Sequence, residues 1–129
     1  MAQSDEELVR QGYGAFSGGD MDTLRRLFSD DAVWHVSGRS RLSGDYQGAD
    51  EILGYFRQTM ELTEGNFQVE LHDVVANDNH VVGLHHASGQ RGDKRLESNE
   101  ALVFHLRDGR VTEVWQLFED PYQAEDFFS

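Results

Sequence analysis

Apolar residues recur at helical spacing in the first half of the chain and alternate with polar ones in the second. Leu8, Val9, Gly12, Tyr13 and Phe16 repeat at intervals of three and four, the period of one helix face. Ser4 and Glu7 precede them at capping-box spacing, so a hydroxyl and a carboxylate can satisfy backbone N–H groups that a first helical turn leaves free. Gly18-Gly19 ends this helix, and Asp20 can cap a second, shorter one carrying Leu24, Leu27 and Phe28. Asp30-Asp31 predicts a turn and residues 32–36 a strand. The polar, glycine-containing stretch 37–48, with Tyr46 its one aromatic, reads as a loop over one edge. Asp50 can cap a third helix, in which Ile52, Leu53, Phe56 and Met60 form an apolar stripe.

The second half reads as β. Phe67, Val69 and Leu71 alternate with Gln68, Glu70 and His72, as in a half-buried strand. Turns at Asn77-Asp78-Asn79, Gly92-Asp93 and Asp108-Gly109 separate three more strands, over about 80–91, 95–106 and 111–118. The tail beyond Pro121 is acidic and aromatic. Three helices preceding four hairpin-joined strands predict an α+β domain, its helices on one face of a strongly curved antiparallel sheet. Twist curls such a sheet into a half-open cone that the helices close. At 129 residues the chain fits one domain, 1–129, able to bury about two-thirds of its unfolded surface.

Charge and cysteine content then exclude partners. The 24 acidic against 11 basic side chains, a formal net charge of −13, argue against nucleic acid and anionic membrane surfaces, both of which are met by Lys and Arg. The absence of cysteine removes disulfides, thiolate nucleophiles and Cys-ligated metals. The opening MAQSDEELV lacks the basic and apolar regions of a signal peptide, and no apolar run has the roughly 20 residues of a membrane span. A cytoplasmic protein is expected. Adjacent His85 and His86 on a strand point to opposite faces, and the other histidines lack chelating spacing, so no metal or other cofactor is expected.

Several segments together resemble the nuclear transport factor 2-like superfamily, in its ketosteroid-isomerase and polyketide-cyclase-like (SnoaL-like) branch. They are Tyr13-Gly14-Ala15-Phe16, Gly19-Asp20-Met21-Asp22, the run from Leu27 to Trp34, Gly44-Asp45-Tyr46-Gln47-Gly48, and Asp108 to Trp115 with Asp120 beyond. The resemblance implies a cystatin-like α+β cone, a pocket between helices and concave sheet, and a homodimer through the sheet's outer face. Catalytic residues do not carry across. Where ketosteroid isomerases place a general-base Asp stands Val36, and their oxyanion-hole acid falls near Leu102. Their first-helix Tyr falls at Gly12, beside Tyr13, and the cyclases' last-strand Asp is replaced by Gln116.

The hairpin at Gly92-Asp93 suggests pairing of Val82 with Phe104, Leu84 with Leu102, and His86 with Glu100. That register puts His86 and Glu100 in the pocket as candidate catalytic residues, a carboxylate tuning an imidazole for general acid–base work. The same two residues could instead form an ion pair at the cone's rim. Tyr13, Phe16, Trp34, Tyr46, Phe56, Met60, Leu84, Leu102, Gln116 and Phe118 are candidate ligand-binding residues. The outer face would carry Val81, Ala101, Val103, Trp115 and Leu117, an apolar surface suited to a homodimer. Two readings follow. One is a protein binding an apolar small molecule, of isomerase, cyclase or dehydratase type; the other is a non-catalytic binding or dimerisation module.

Overall fold

A computed structural model describes residues 4–129. Its elements are α1 (Asp5–Gly18), α2 (Met21–Leu27), β1 (Phe28–Val36), β2 (Gly44–Gln47), α3 (Gly48–Leu62), β3 (Gln68–Ala76), β4 (Val81–Arg91), β5 (Lys94–Arg107), β6 (Arg110–Phe118) and α4 (Pro121–Phe127). The helix starts follow their caps. Ser4 accepts from the Glu7 N–H, Asp20 from Thr23, and Asp120 from Tyr122 and Gln123 with Pro121 opening α4. Gly19, left-handed at φ 70°, stops α1. α3 begins earlier than expected, at Gly48, which leaves Asp50 in its first turn.

The six strands form one sheet in the order β2-β1-β6-β5-β4-β3. All neighbours are antiparallel except β1 and β6, which run parallel. The α+β class and the helix-covered sheet are as expected; the parallel pair, the short β2 within 37–48 and the fourth helix are additions. Asp30 and Asp31 form no turn but lie inside β1, where its register with β6 shifts between Phe28 and Val33. Further shifts fall between Leu71 and Asp73 and between His105 and Leu106; such bulges bend strands and raise their twist.

The β4–β5 register corrects the expectation by one residue. Arg91 pairs with Lys94 across a two-residue turn in which Gly92 has φ 59°, as a type II′ hairpin requires of its first central residue. His85 therefore faces Glu100, Gly83 faces Leu102 and Val81 faces Phe104. A one-residue slip exchanges the faces of a whole strand. His86 and Leu84 thus lie on the outer face, His86 bonded to Asn99 at 3.0 Å and Leu84 36% exposed. Val81 moves the other way and is buried in the core with Phe104, Val114 and Trp34.

Gly83 explains how α1 can lie so close to the sheet. A Cβ there would sit 2.5 Å from the Tyr13 hydroxyl and 2.7 Å from its ring, so only glycine leaves a seat for that side chain. The C-terminal segment closes the other end. Phe127 and Phe128 are buried, and the Arg91 guanidinium donates to the carbonyls of Phe127 and Ser129 at 2.8 and 2.9 Å.

Candidate functional site

The inner face of the sheet and the helices enclose a cavity of about 90 Å³. α1 contributes Tyr13 and Phe16, β1 Trp34, and α3 Tyr55, Phe56 and Thr59. His85, Glu100 and Leu102, and Gln116 and Phe118, come from β4, β5 and β6 respectively, with Phe128 from the C-terminal segment.

Most of the lining is apolar, but one buried chain of hydrogen bonds crosses it. The Tyr13 hydroxyl lies 2.7 Å from His85 Nδ1, and His85 Nε2 lies 3.1 Å from Glu100 Oε1. Gln116 Nε2 donates to the same Glu100 oxygen at 2.8 Å. Gln116 Oε1 in turn accepts from Trp34 Nε1 at 3.0 Å and from the Tyr55 hydroxyl at 2.7 Å. An indole N–H can only donate, so Trp34 fixes which end of the Gln116 amide is oxygen and turns its NH₂ toward Glu100. With Glu100 a carboxylate and His85 neutral, His85 Nε2 carries the proton, Nδ1 is an acceptor, and the Tyr13 O–H points at it.

The His85 and Glu100 side chains are only 3% and 2% exposed, so their pairing takes place away from bulk water. Burial and the nearby Glu100 charge push the phenol of Tyr13 far up, which keeps it neutral. Tyr55 is pushed up the same way, with Tyr46 adding to it. Glu100 Oε2 differs from every other polar atom of the chain of bonds: it takes no hydrogen bond from any described residue. No side-chain oxygen or nitrogen sealed from solvent lacks a partner among the described residues, so Oε2 keeps some accessible surface; Glu100 lines the cavity and also a second pocket with Glu70, His86 and Leu117.

Of the residues singled out from sequence, Tyr13, Phe16, Trp34, Phe56, Glu100, Leu102, Gln116 and Phe118 line the cavity. His86 and Leu84 lie on the other side of the sheet. Tyr46 stacks on Tyr55 at 4.8 Å and donates to the Leu42 carbonyl, one layer behind the cavity wall. Met60 is also outside the lining; Tyr55, Phe56 and Thr59 supply the inward face of α3. Sequence reasoning missed His85 and Tyr55. Tyr55 stands three residues after Ile52 and was legible as part of the same stripe.

The outer face carries a second cluster. His35 Nδ1 lies 2.7 Å from Asp45 and its Nε2 2.6 Å from Glu113, while its ring stacks on Trp115 at 5.3 Å. Burial works to lower the imidazole's pKa, but the two carboxylates together outweigh it and hold His35 above the usual range. Among the described residues no group of three or more His, Asp or Glu is placed to hold a metal ion.

Residues 9–114 match the sequence profile of the SnoaL-like domain. The chain belongs to the SnoaL-like family. The matched SnoaL-like span includes Tyr13, Trp34, Tyr55, His85 and Glu100, whereas Gln116, Phe118 and α4 lie just beyond it. Relatives of the domain include an uncharacterised protein of Mycobacterium tuberculosis, 30% identical over 98% of this chain and 97% of its own. Among solved structures, Bal32a from a soil-derived mobile gene cassette is 40% identical, covers 95% of both chains and superposes with a TM-score of 0.92. A Xanthomonas campestris protein of unknown function with a cystatin-like fold is 25% identical, covering 95% of this chain and 96% of its own, with a TM-score of 0.89.

Proposed function

We propose that the protein binds an apolar small molecule in the cavity and removes a proton from it, with Glu100 as the base. One observation carries this reading: Glu100 is buried with Oε1 within hydrogen-bond reach of two nitrogens, His85 Nε2 and Gln116 Nε2, while Oε2 has no partner among the described residues. The held oxygen fixes the direction of the free one, as a general base needs. The substrate's C–H or O–H bond breaks, the proton goes to Oε2, and the electron pair stays on the substrate. Isomerisation, cyclisation and dehydration all can begin with that step. His85 and Gln116 act as positioning residues, since the ring nitrogens of one and the amide of the other are already engaged.

The step is tested with cyclohexanone, whose size suits the cavity, by following solvent deuterium incorporation at its α-carbon. Wild type is expected to exceed the buffer rate, and Glu100→Gln to lose at least about 100-fold of that excess. Equal rates for the two proteins would refute the base. The competing reading is a binding module without chemistry. It is favoured by Gln116, an amide on the last strand where cyclases of this branch carry an acid, and by the closed bonding of every other polar group in the network.

The outer face supports a homodimer. Val75, Leu84 and Leu117 are 49%, 36% and 46% exposed, and Leu84 and Leu117 pair with the same residue of β5, Ala101. Apolar area of this kind is usually covered in solution. Sedimentation at micromolar concentration should give a dimer for wild type and a monomer for Leu117→Asp; a wild-type monomer would refute the interface. No helix of the described residues is long and apolar enough to cross a membrane, and a cytoplasmic address is part of the same proposal.

A further inference from the structure

We propose that the molecule bound in the cavity carries a protonated amine on its apolar body, and that this ammonium group pairs with Glu100. The inference rests on the reading of the cavity as a ligand site and adds the charge of the ligand. The Glu100 side chain is 2% exposed, and a carboxylate so placed is ordinarily met by a cation. No Lys or Arg is among the residues lining the cavity. The side-chain partners of Glu100 are Gln116, an uncharged amide, and His85, whose Nδ1 faces the Tyr13 hydroxyl. With His85 neutral, neither supplies a positive charge. The Glu100 charge is felt by its neighbours: after burial, it is the next cause that pushes the phenols of Tyr13 and Tyr55 up.

The polar side chains of the lining point the same way. The Trp34 N–H and Tyr55 O–H both end on Gln116 Oε1, the Tyr13 O–H on His85, and the Thr59 O–H on the Tyr55 backbone carbonyl. Four side-chain oxygens of the lining keep acceptor capacity: Glu100 Oε2 and the hydroxyl oxygens of Tyr13, Tyr55 and Thr59. Against them stands one uncommitted side-chain donor, the second N–H of Gln116. An excess of acceptors suits a group rich in donors, and an ammonium has only donors. Pairing ions inside a protein usually gains little, because both lose their water. Here the carboxylate is already buried, so only the ammonium is dehydrated on binding. The rings of Phe16, Trp34, Phe56 and Phe118 also line the space, and aromatic faces attract cations. A neutral ligand of the same shape would cover the carboxylate and leave it unpaired, and an anion would add like charge.

The experiment is an NMR titration of the intact ¹⁵N-labelled protein at neutral pH, read at the amides of Glu100, Leu102 and Gln116. Salt is held at about 0.15 M, which screens attraction of a cation to the acidic surface. The probes are benzylammonium, ethylbenzene, benzyl alcohol and phenylacetate. Ethylbenzene puts a methyl in place of the ammonium, benzyl alcohol keeps a donor without charge, and phenylacetate reverses the sign. Benzylammonium is expected to bind at least about 10-fold more tightly than either neutral probe, the lower end of what a hydrogen bond to a charged group contributes. Phenylacetate is expected to bind most weakly. In Glu100→Gln benzylammonium should bind no better than benzyl alcohol, whose retained binding reports an intact cavity; an advantage that survives the substitution would overturn the pairing. The wild-type ranking decides the question even if the variant does not fold. A neutral probe that matches benzylammonium on the wild type would overturn the ammonium inference and leave the ligand site standing, the result expected if an imidazolium at His85 already balances Glu100. Phenylacetate binding best would overturn it equally. If no probe moves these amides, the ligand site itself fails, and this inference with it.

Discussion

Replacing Gly83 by Ala asks whether the close approach of α1 to β4 is what builds the site. The added Cβ would lie 2.5 Å from the Tyr13 hydroxyl, 2.7 Å from Cε2 and 3.0 Å from Cζ, all shorter than real contacts allow. Tyr13 must move, and its 2.7 Å bond to His85 breaks. Overpacking costs about 1–3 kcal/mol, and loss of the buried hydrogen bond about 1 kcal/mol more. We expect Gly83→Ala to destabilise by roughly 2–4 kcal/mol, a large share of the ~5–15 kcal/mol typical of a domain. The control is the same change in a Tyr13→Ala background, where no ring or hydroxyl is left to strike. There the substitution should be neutral or stabilising by up to ~1 kcal/mol, because alanine is preferred to glycine within a strand. Urea denaturation of the four proteins, followed by tryptophan fluorescence, gives the coupling energy if the m-values agree. An equal cost in both backgrounds would show that Tyr13 is not seated on Gly83 and that the account of this wall is wrong.

Further predictions concern the other parts of the network and the outer face. Gln116→Leu leaves the Trp34 N–H, the Tyr55 O–H and one donor contact to Glu100 without a partner, so a loss of at least about 3 kcal/mol is expected in the same denaturation assay; a loss below about 1 kcal/mol would refute the amide's bridging role. His35 is held above its ordinary pKa by Glu113 and Asp45, so it stabilises the fold fully below the unfolded imidazole value of about 6.5 and loses that contribution as pH rises through the folded value. The destabilisation caused by His35→Gln should therefore be largest near pH 5–6 and shrink toward alkaline pH. A penalty that grows with pH would reverse the sign and refute the pairing.

The elements were legible because local chemistry specifies them. Ser4, Asp20 and Gly19 mark helix ends by hydrogen bonding and backbone conformation that need no tertiary contact. The site was legible only in part, because it depends on one strand's register. On β4 the outward residues include Val82 and Leu84, whereas the inward ones include Gly83 and His85. Val82 and Leu84 therefore face away from the core, and there the hydrophobic pattern points to the wrong side. Two tertiary facts cause this: Tyr13 occupies the space a side chain at 83 would fill, and the outer face is itself apolar. The cavity-lining residues on β5 and β6, Glu100, Leu102, Gln116 and Phe118, share one face by the alternation of their own strands, so the one-residue shift on β4 does not move them. The parallel pairing of β1 with β6 joins strands far apart in sequence, which no local signal announces.

The central claim is that Glu100 is a carboxylate presented to the cavity as an acceptor, its orientation fixed by His85. The most direct measurement is the protonation of the His85 ring by long-range ¹H–¹⁵N NMR at neutral pH, the signals being assigned among the six histidines with a His85→Gln control. The account predicts a proton on Nε2, facing Glu100, and a bare Nδ1 accepting from Tyr13. A proton on Nδ1 with Nε2 bare would mean that Glu100 donates rather than accepts, and would contradict the account.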